Sequence, residues 1–176
     1  QKAVARRHAG LIMRAYEDLN LIVVHLGGGI SVGAHQKGRV IDVNQALDGE
    51  GPFSPERSGT LPMGDFAKLC FSGKYSLKEV KKMIKGEGGL VAYTGTNSAY
   101  EVEMRAQAGD AFAKKIFEAM AYQVAKEIGA MYAVLCGQVD AILITGGIAN
   151  SKWFVNEIIG RVHRMAPTHV YPGEDE

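Results

Sequence analysis

The stretch Leu21-Ile22-Val23-Val24-His25-Leu26-Gly27-Gly28-Gly29-Ile30-Ser31 places an apolar run directly before three consecutive glycines. Alternating residues follow as far as His35, and a second β-rich run covers residues 39–43 after the turn Gln36-Lys37-Gly38. This pattern predicts a strand, a glycine corner, a strand, a tight turn and a third strand. Residues 21–43 are therefore expected to form a three-stranded meander, on which the rest of the chain is built.

The three glycines are candidates for phosphate binding. Glycines adopt positive φ angles readily, and Gly27, Gly28 and Gly29 can turn their amides toward one anion. No helix follows them, which excludes the Walker type of phosphate loop, since that loop opens a helix. His25 stands beside the corner and supplies a polar side chain. An ordinary glycine hairpin, with His25 as a polar cap on the strand end, is the alternative that these residues leave open.

Composition bounds the class of protein. A chain of 176 residues with 47% hydrophobic content suits one domain with an ample core. The net charge of +1 gives no electrostatic case for binding nucleic acid. No apolar run has the length of a membrane span and no signal peptide is visible, so we expect a cytoplasmic protein. Cys70 and Cys136 lack metal-ligand spacing and are expected to be buried, reduced thiols.

Beyond the meander, hydrophobic spacing and capping residues predict mostly helices. Helices are expected at residues 2–18, 63–71, 77–84, 98–108, 110–136 and 152–165, with strands at 141–145 and 168–171. The continuous apolar run from Ala141 to Ile144 predicts a strand that is buried on both faces. Residues 44–62 and 90–97 are expected to be loops, and a loop as long as the first is usually functional or disordered.

A second glycine corner, Gly146-Gly147, lies between a strand and a helix. Free amides and the positive end of the helix dipole favour an anion or a polar nucleotide edge at such a corner. An ordinary tight turn is the alternative. Open α/β sheets bind ligands outside the ends of their strands, so this corner and the one at Gly27–Gly29 are both suitably placed.

Two charged groups complete the candidate site. Arg57 lies in the stretch Pro55-Glu56-Arg57-Ser58-Gly59, and such an arginine can neutralise charge on a transferring phosphoryl group. A surface salt bridge is the alternative for Arg57. The acidic end, Glu174-Asp175-Glu176, can hold Mg²⁺ through water, with a solvated tail as its alternative.

In order and spacing, these motifs resemble the acetate and butyrate kinase family, within the wider group of sugar kinases and actin-type ATPases. Residues 25–29 are similar to the second phosphate motif of the family, although Gly28 stands where acetate kinases have Asn. Residues 48–59 resemble the butyrate kinase loop, which implies that Arg57 is the transition-state arginine. The stretch from Thr145 to Ser151 is similar to the adenosine motif, and it implies nucleotide contacts from Gly146, Gly147, Ile148 and Asn150. The stretch from Val170 to Glu176 resembles the segment with the metal-linked acid, for which Asp175 or Glu176 is the candidate.

The resemblance implies an α/β fold of the RNase H-like, actin-like ATPase type, with a mixed sheet flanked by helices. It also implies that residues 1–176 are the C-terminal nucleotide-binding domain of a two-domain kinase whose N-terminal domain is absent. The start within a helical pattern at Gln1 and the end just after a β-like run agree with that expectation. The chain alone is therefore expected to bind nucleotide weakly and to show no turnover.

The implied parent enzyme is a butyrate kinase, a phosphotransferase with a carboxyl group as acceptor. It transfers the γ-phosphoryl group of ATP to butanoate, reversibly and with Mg²⁺, giving butanoyl phosphate and ADP. Arg57 and His25 are expected to contact the transferring group. Two alternatives stay open. One is another short-chain or branched-chain fatty-acid kinase, and the other is a non-catalytic nucleotide-binding module. The resemblance also implies a homo-oligomer, with residues 110–136 and 152–165 as the candidate dimer face.

Overall fold

The computed structural model describes residues 1–173. Its centre is a mixed sheet of five strands, β1 (Asn20–Leu26), β2 (Ile30–Gln36), β3 (Arg39–Val43), β4 (Ala141–Gly146) and β5 (Thr168–Pro172). The spatial order is β3-β2-β1-β4-β5. The first three strands pair antiparallel, which confirms the predicted meander, and β4 joins β1 in parallel and is followed by β5, also in parallel.

Seven α-helices accompany the sheet in the described part of the chain. They are α1 (Lys2–Leu11), α2 (Met63–Cys70), α3 (Leu77–Ile84), α4 (Leu90–Thr94), α5 (Ala99–Gln107), α6 (Ala111–Val134) and α7 (Lys152–Val162). Predicted helix starts at Ser76, Ser98, Asp110 and Ser151 are confirmed, because each of these side chains accepts a hydrogen bond from a backbone N–H in the first turn. At α3, Glu79 completes the expected capping box.

The two faces of the sheet have separate cores. Ile22, Val24 and Leu26 of β1 belong to the larger core with α5, α6 and α7, whereas Leu21 and Val23 belong to the smaller core with α1. This alternation follows from the two-residue period of a strand. All six residues of β4 are buried, so the expectation of a strand covered on both faces is confirmed.

Three local expectations were wrong. The first helix ends at Leu11 instead of residue 18, since Met13 adopts a φ of 54° and the chain turns to bury Tyr16 against the sheet. Residues 90–97 include the short helix α4 and are not only a loop. Cys136 is exposed and Cys70 is half-buried, although both are free thiols as expected.

The loop at residues 44–62 is held by a backbone hydrogen bond within the loop and by backbone contacts with Gly89 and Leu90, which are distant in sequence. The Ser54 N–H donates to the Arg57 carbonyl at 3.1 Å, and the Leu90 N–H donates to the Ser54 carbonyl at 3.1 Å. Gly89 has a φ of 61°, and a side chain on it would overlap the Ser54 carbonyl. Only glycine allows this close approach of two backbones. The arginine loop is thus folded into the domain.

Among the described residues, no helix combines the length and the apolar character that crossing a bilayer requires.

Candidate active site

The two glycine corners lie side by side at one edge of the sheet. His25 of β1 and Thr145 of β4 are partners in the parallel ladder, so both strands end at the same level. The corner after β1 therefore adjoins the corner after β4, as expected from the rule that parallel strands present their carboxyl ends together. Strand β5 ends at this edge too, where Gly146 and Gly173 exchange two backbone hydrogen bonds at 3.1 and 3.2 Å.

Gly146 is required by the close contact between β1 and β4. Its φ is 97°, and a Cβ atom there would lie 2.5 Å from the carbonyl oxygen of Leu26 and 2.8 Å from its carbonyl carbon. The positive φ angle and the lack of space for a Cβ atom both exclude other residues at position 146. The neighbouring Gly147 begins a short 3₁₀ helix, Gly147–Asn150, and a Cβ atom on Gly147 would point into open space.

The Gly27–Gly29 corner is built differently from our expectation. None of its three glycines lies in the left-handed region, so the predicted positive φ angles are wrong. The corner is closed by the Gly27 N–H, which donates to the Gly29 carbonyl at 3.1 Å. A Cβ atom on Gly27 would lie 3.0 Å from Nε2 of His25, which shows that the imidazole folds back over the corner.

Arg57 reaches the same corner from the long loop. Its guanidinium group covers Gly29 so closely that a side chain on Gly29 would overlap it. The loop is fastened there by Ser54, whose buried hydroxyl donates to the Gly28 carbonyl at 2.7 Å. Within residues 1–173, Arg57 forms no ion pair, which disfavours the surface salt bridge as its role.

A cleft of about 640 Å³ connects the two glycine corners. Its lining includes Gly27 and Gly28 from one corner and Gly147, Ile148 and Asn150 from the other. The described lining does not include His25, Gly29, Arg57 or Gly146, although each of these residues belongs to or contacts one of the two corners. The geometry therefore brings together the predicted phosphate and adenosine motifs around one cavity, of the volume typical for small-molecule sites.

Sequence reasoning missed a further wall of the cleft. That wall comes from the segment before α5, from α5 itself and from α6, and its residues are Asn97, Ser98, Ala99, Tyr100, Glu103, Met104 and Phe117. Asn97 ties it to the arginine loop, because its Nδ2 donates to Oε1 of Glu56 at 2.6 Å. The Ser98 cap was the signal in the sequence that a helix begins here, but nothing local indicated that this helix lines a cleft.

The profile of the acetokinase family matches residues 1–167 of this sequence. The chain belongs to the acetokinase family.

Two butyrate kinase sequences are among the proteins to which this chain is similar. Butyrate kinase 2 of Clostridium acetobutylicum is 59% identical over 176 residues, which is 100% of this chain and 49% of that protein. A probable butyrate kinase of Phocaeicola vulgatus is 58% identical over 99% of this chain and 49% of its own length. The chain spans about half the length of these curated relatives.

Solved structures confirm the predicted fold of this acetokinase-family chain. Acetate kinase of Porphyromonas gingivalis superposes with a TM-score of 0.88 at 20% identity, over 97% of this chain and 50% of that one. A propionate kinase of Francisella tularensis has a TM-score of 0.87 at 26% identity, over 99% and 51% of the two chains. A hexokinase of the ROK type from Thermus thermophilus, at 15% identity and a TM-score of 0.53, shares the fold alone. The domain thus has the actin-like ATPase fold.

A metal site was predicted at Asp175 or Glu176, and both residues lie outside the described part of the chain. Within residues 1–173, no group of three or more His, Cys, Asp or Glu side chains could hold a metal ion. The described residues of this acetokinase-family chain therefore form no closed metal-binding cluster, and we assign no catalytic step to the metal.

Proposed function

We propose that this chain is the C-terminal nucleotide-binding domain, residues 1–176, of a two-domain kinase that phosphorylates butanoate. The reaction is the reversible transfer of the γ-phosphoryl group of ATP to the carboxylate, which gives butanoyl phosphate and ADP. The observation that carries the proposal is the cleft that joins the Gly27–Gly28 corner to the Gly147–Asn150 corner. Identity of 59% to a butyrate kinase supports butanoate as the acceptor.

In this proposal the nucleotide lies along the cleft. The backbone amides of Gly28 and Gly29 bind the phosphates, and Gly27, whose own N–H donates to the Gly29 carbonyl, allows close approach to an anion because it has no side chain. Gly146 and Gly147 pack near the adenosine together with Ile148 and Asn150. The Asn150 side chain is itself held in place, since its Nδ2 donates to the Gly147 carbonyl at 2.9 Å.

The chemical step needs positioning and charge neutralisation more than covalent help from the protein. A carboxylate oxygen of butanoate forms a bond to the γ-phosphorus as the bond from that phosphorus to the bridging oxygen of ADP breaks. ADP leaves with the electron pair, and no proton has to move. Arg57 and His25 contact the equatorial oxygens, where charge accumulates, and Arg57 has no competing acidic partner within the described residues.

Three further parts of the proposal concern the whole protein. The acyl-binding groups lie in the N-terminal domain, so the isolated chain does not turn over. Asp175 or Glu176 is the metal-linked acid for Mg²⁺, which accompanies the nucleotide phosphates. The protein acts in the cytoplasm as a homo-oligomer.

Calorimetry and an acyl-phosphate assay test the proposal together. ADP with Mg²⁺ is titrated into the 176-residue chain, and we expect weak binding at one site. The complete protein that contains this chain is then assayed with ATP and acetate, propionate, butanoate or a branched-chain acid, and butanoate should give the highest kcat/KM. Binding without acyl phosphate formation in the complete protein would favour a non-catalytic nucleotide-binding module. Preference for a branched acid would favour the other fatty-acid kinase.

A further inference from the structure

The cleft contains a buried carboxylate that the proposed phosphoryl transfer does not use. Glu103, on the inner side of α5, is only 9% exposed and belongs to the lining of the cleft. Its helix neighbours Val102 and Ala106 are core residues with 0% and 8% exposure. A glutamate in such a position is unusual, because removing a charged group from water costs free energy unless a partner compensates for it.

The protein itself compensates for Glu103 only weakly. Its Oε1 accepts one hydrogen bond from Nε2 of Gln107, at 3.4 Å, which is beyond the usual range for a strong bond. Across the described residues, Glu103 forms no ion pair. An ionised carboxylate can accept about four hydrogen bonds, so most of its accepting capacity is free to meet a donor in the cleft.

The surroundings of Glu103 differ from those of the phosphate corner. Gly27 and Gly28 line the corner directly after β1, whereas Glu103 lies on α5, and the lining also includes the apolar side chains of Met104 and Phe117. An apolar wall with one well-placed acceptor is how proteins hold and orient a flat heteroaromatic group. The donor that Glu103 meets is therefore on the base of the nucleotide and not on its phosphates.

We propose that Glu103 selects the base by accepting a hydrogen bond from the exocyclic 6-amino group of adenine. A carboxylate only accepts, so the 6-carbonyl oxygen of hypoxanthine or guanine would place two acceptors against each other. A site built to bond a donor strongly rejects the analogue that lacks it, since a buried polar group is then left unpaired. This inference rests on the proposed function, because it requires that the cleft binds a nucleotide.

Kinetics of the complete protein with ATP and with inosine triphosphate test this proposal, because hypoxanthine carries a carbonyl oxygen at position 6, with a proton on the adjacent N1, where adenine carries the amino group and a bare N1. The wild type should favour ATP by about 10- to 100-fold in kcat/KM, the range expected for a hydrogen bond to a charged group. Glu103→Gln should reduce that ratio about tenfold, since an amide donates to a carbonyl as well as accepting from an amine. Glu103→Leu should bring the ratio close to one.

Glu101→Gln is the matched control, since Glu101 lies on the same helix but is exposed and accepts a hydrogen bond from Oγ1 of Thr96. It should keep the wild-type ratio. The ratio compares two nucleotides in one preparation, so partial unfolding of a variant cancels, and the near-isosteric Glu103→Gln decides if Glu103→Leu does not fold. A wild type without preference, or Glu103 variants that retain the preference, would overturn the role of Glu103. A wild type that neither binds nor uses any nucleotide would instead contradict the proposed function.

Discussion

The guanidinium group of Arg57 lies directly against the Cα atom of Gly29, in the space that any other residue at position 29 would fill with its side chain. The arginine belongs to the loop at residues 44–62, and the glycine belongs to the corner between β1 and β2. Their contact places a half-buried positive charge at the point where the proposed phosphates bind.

Arg57→Ala in the complete protein should lower kcat by about 10²- to 10³-fold, with much less change in the KM for ATP. Loss of one charge contact to the transferring group corresponds to roughly 2.7–4 kcal/mol of barrier. Steady-state kinetics with ATP and butanoate measure the effect. Arg57→Lys should recover only part of the activity, since a lysine lacks the planar fork of the guanidinium. Near-normal kcat for Arg57→Ala would remove this residue from the mechanism.

Gly29→Ala should reproduce much of that loss without unfolding the domain. Gly29 lies outside the left-handed region, so alanine suits its backbone, but the new methyl group would displace the guanidinium of Arg57. We expect kcat to fall at least about tenfold and the free energy of unfolding to change by less than about 1 kcal/mol. Gly64→Ala in α2 is the control, since nothing lies within 4 Å of its added Cβ atom, and it should leave kcat unchanged.

Gly146→Ala, unlike Gly29→Ala, should cause a large loss in the free energy of unfolding. Its φ of 97° costs an alanine about 1–3 kcal/mol, and the added Cβ atom lies 2.5 Å from the Leu26 carbonyl oxygen. Urea unfolding should show a total loss of more than about 2 kcal/mol. Gly160→Ala, on the exposed side of α7 with no atom near its new Cβ atom, should instead stabilise the domain by up to about 1 kcal/mol. Equal stability of the two variants would contradict the strained corner.

His35 should make the domain sensitive to acid. In the isolated 176-residue chain, burial, together with the positive charges of the N-terminal amine and Lys2, lowers the pKa of His35 to about 4, from an ordinary value near 6.5. Below pH 6.5 the unfolded chain takes up a proton that the folded domain does not. Stability should therefore be unaffected above that pH and should fall by up to about 1.4 kcal/mol per pH unit, about 3 kcal/mol in total by pH 4.

Urea unfolding between pH 7.5 and 4.5 measures this dependence for wild type and for His35→Gln. The variant keeps a polar group near the Tyr16 hydroxyl, which lies 2.8 Å from Nδ1 of His35. Its stability should fall less steeply with acid than that of the wild type. His163→Gln removes an exposed histidine and should leave the slope unchanged. If both variants behave as the wild type does, then His35 is not the group that senses acid.

Much of the fold could be predicted because its signals are local. The two-residue alternation of β1 and the continuous apolar run of β4 indicate how many faces of each strand are buried. Serine caps at positions 76, 98 and 151 mark helix starts, since they satisfy backbone N–H groups within the first turn. Where the local signal was weak, as at the end of α1, packing of Tyr16 decided the boundary instead.

The sequence by itself determined which residues form the two glycine corners, since glycine repeats at strand ends are visible without a structure. Only the tertiary structure decided why those glycines are there. Gly29 makes room for the Arg57 side chain and Gly146 makes room for the backbone of Leu26, contacts between segments that are distant in the chain. The same holds for Glu103, which looks like any surface glutamate until the packing of α5 buries it in the wall of the cleft. Local patterns cannot contain such information, because burial depends on which distant segments pack against a residue.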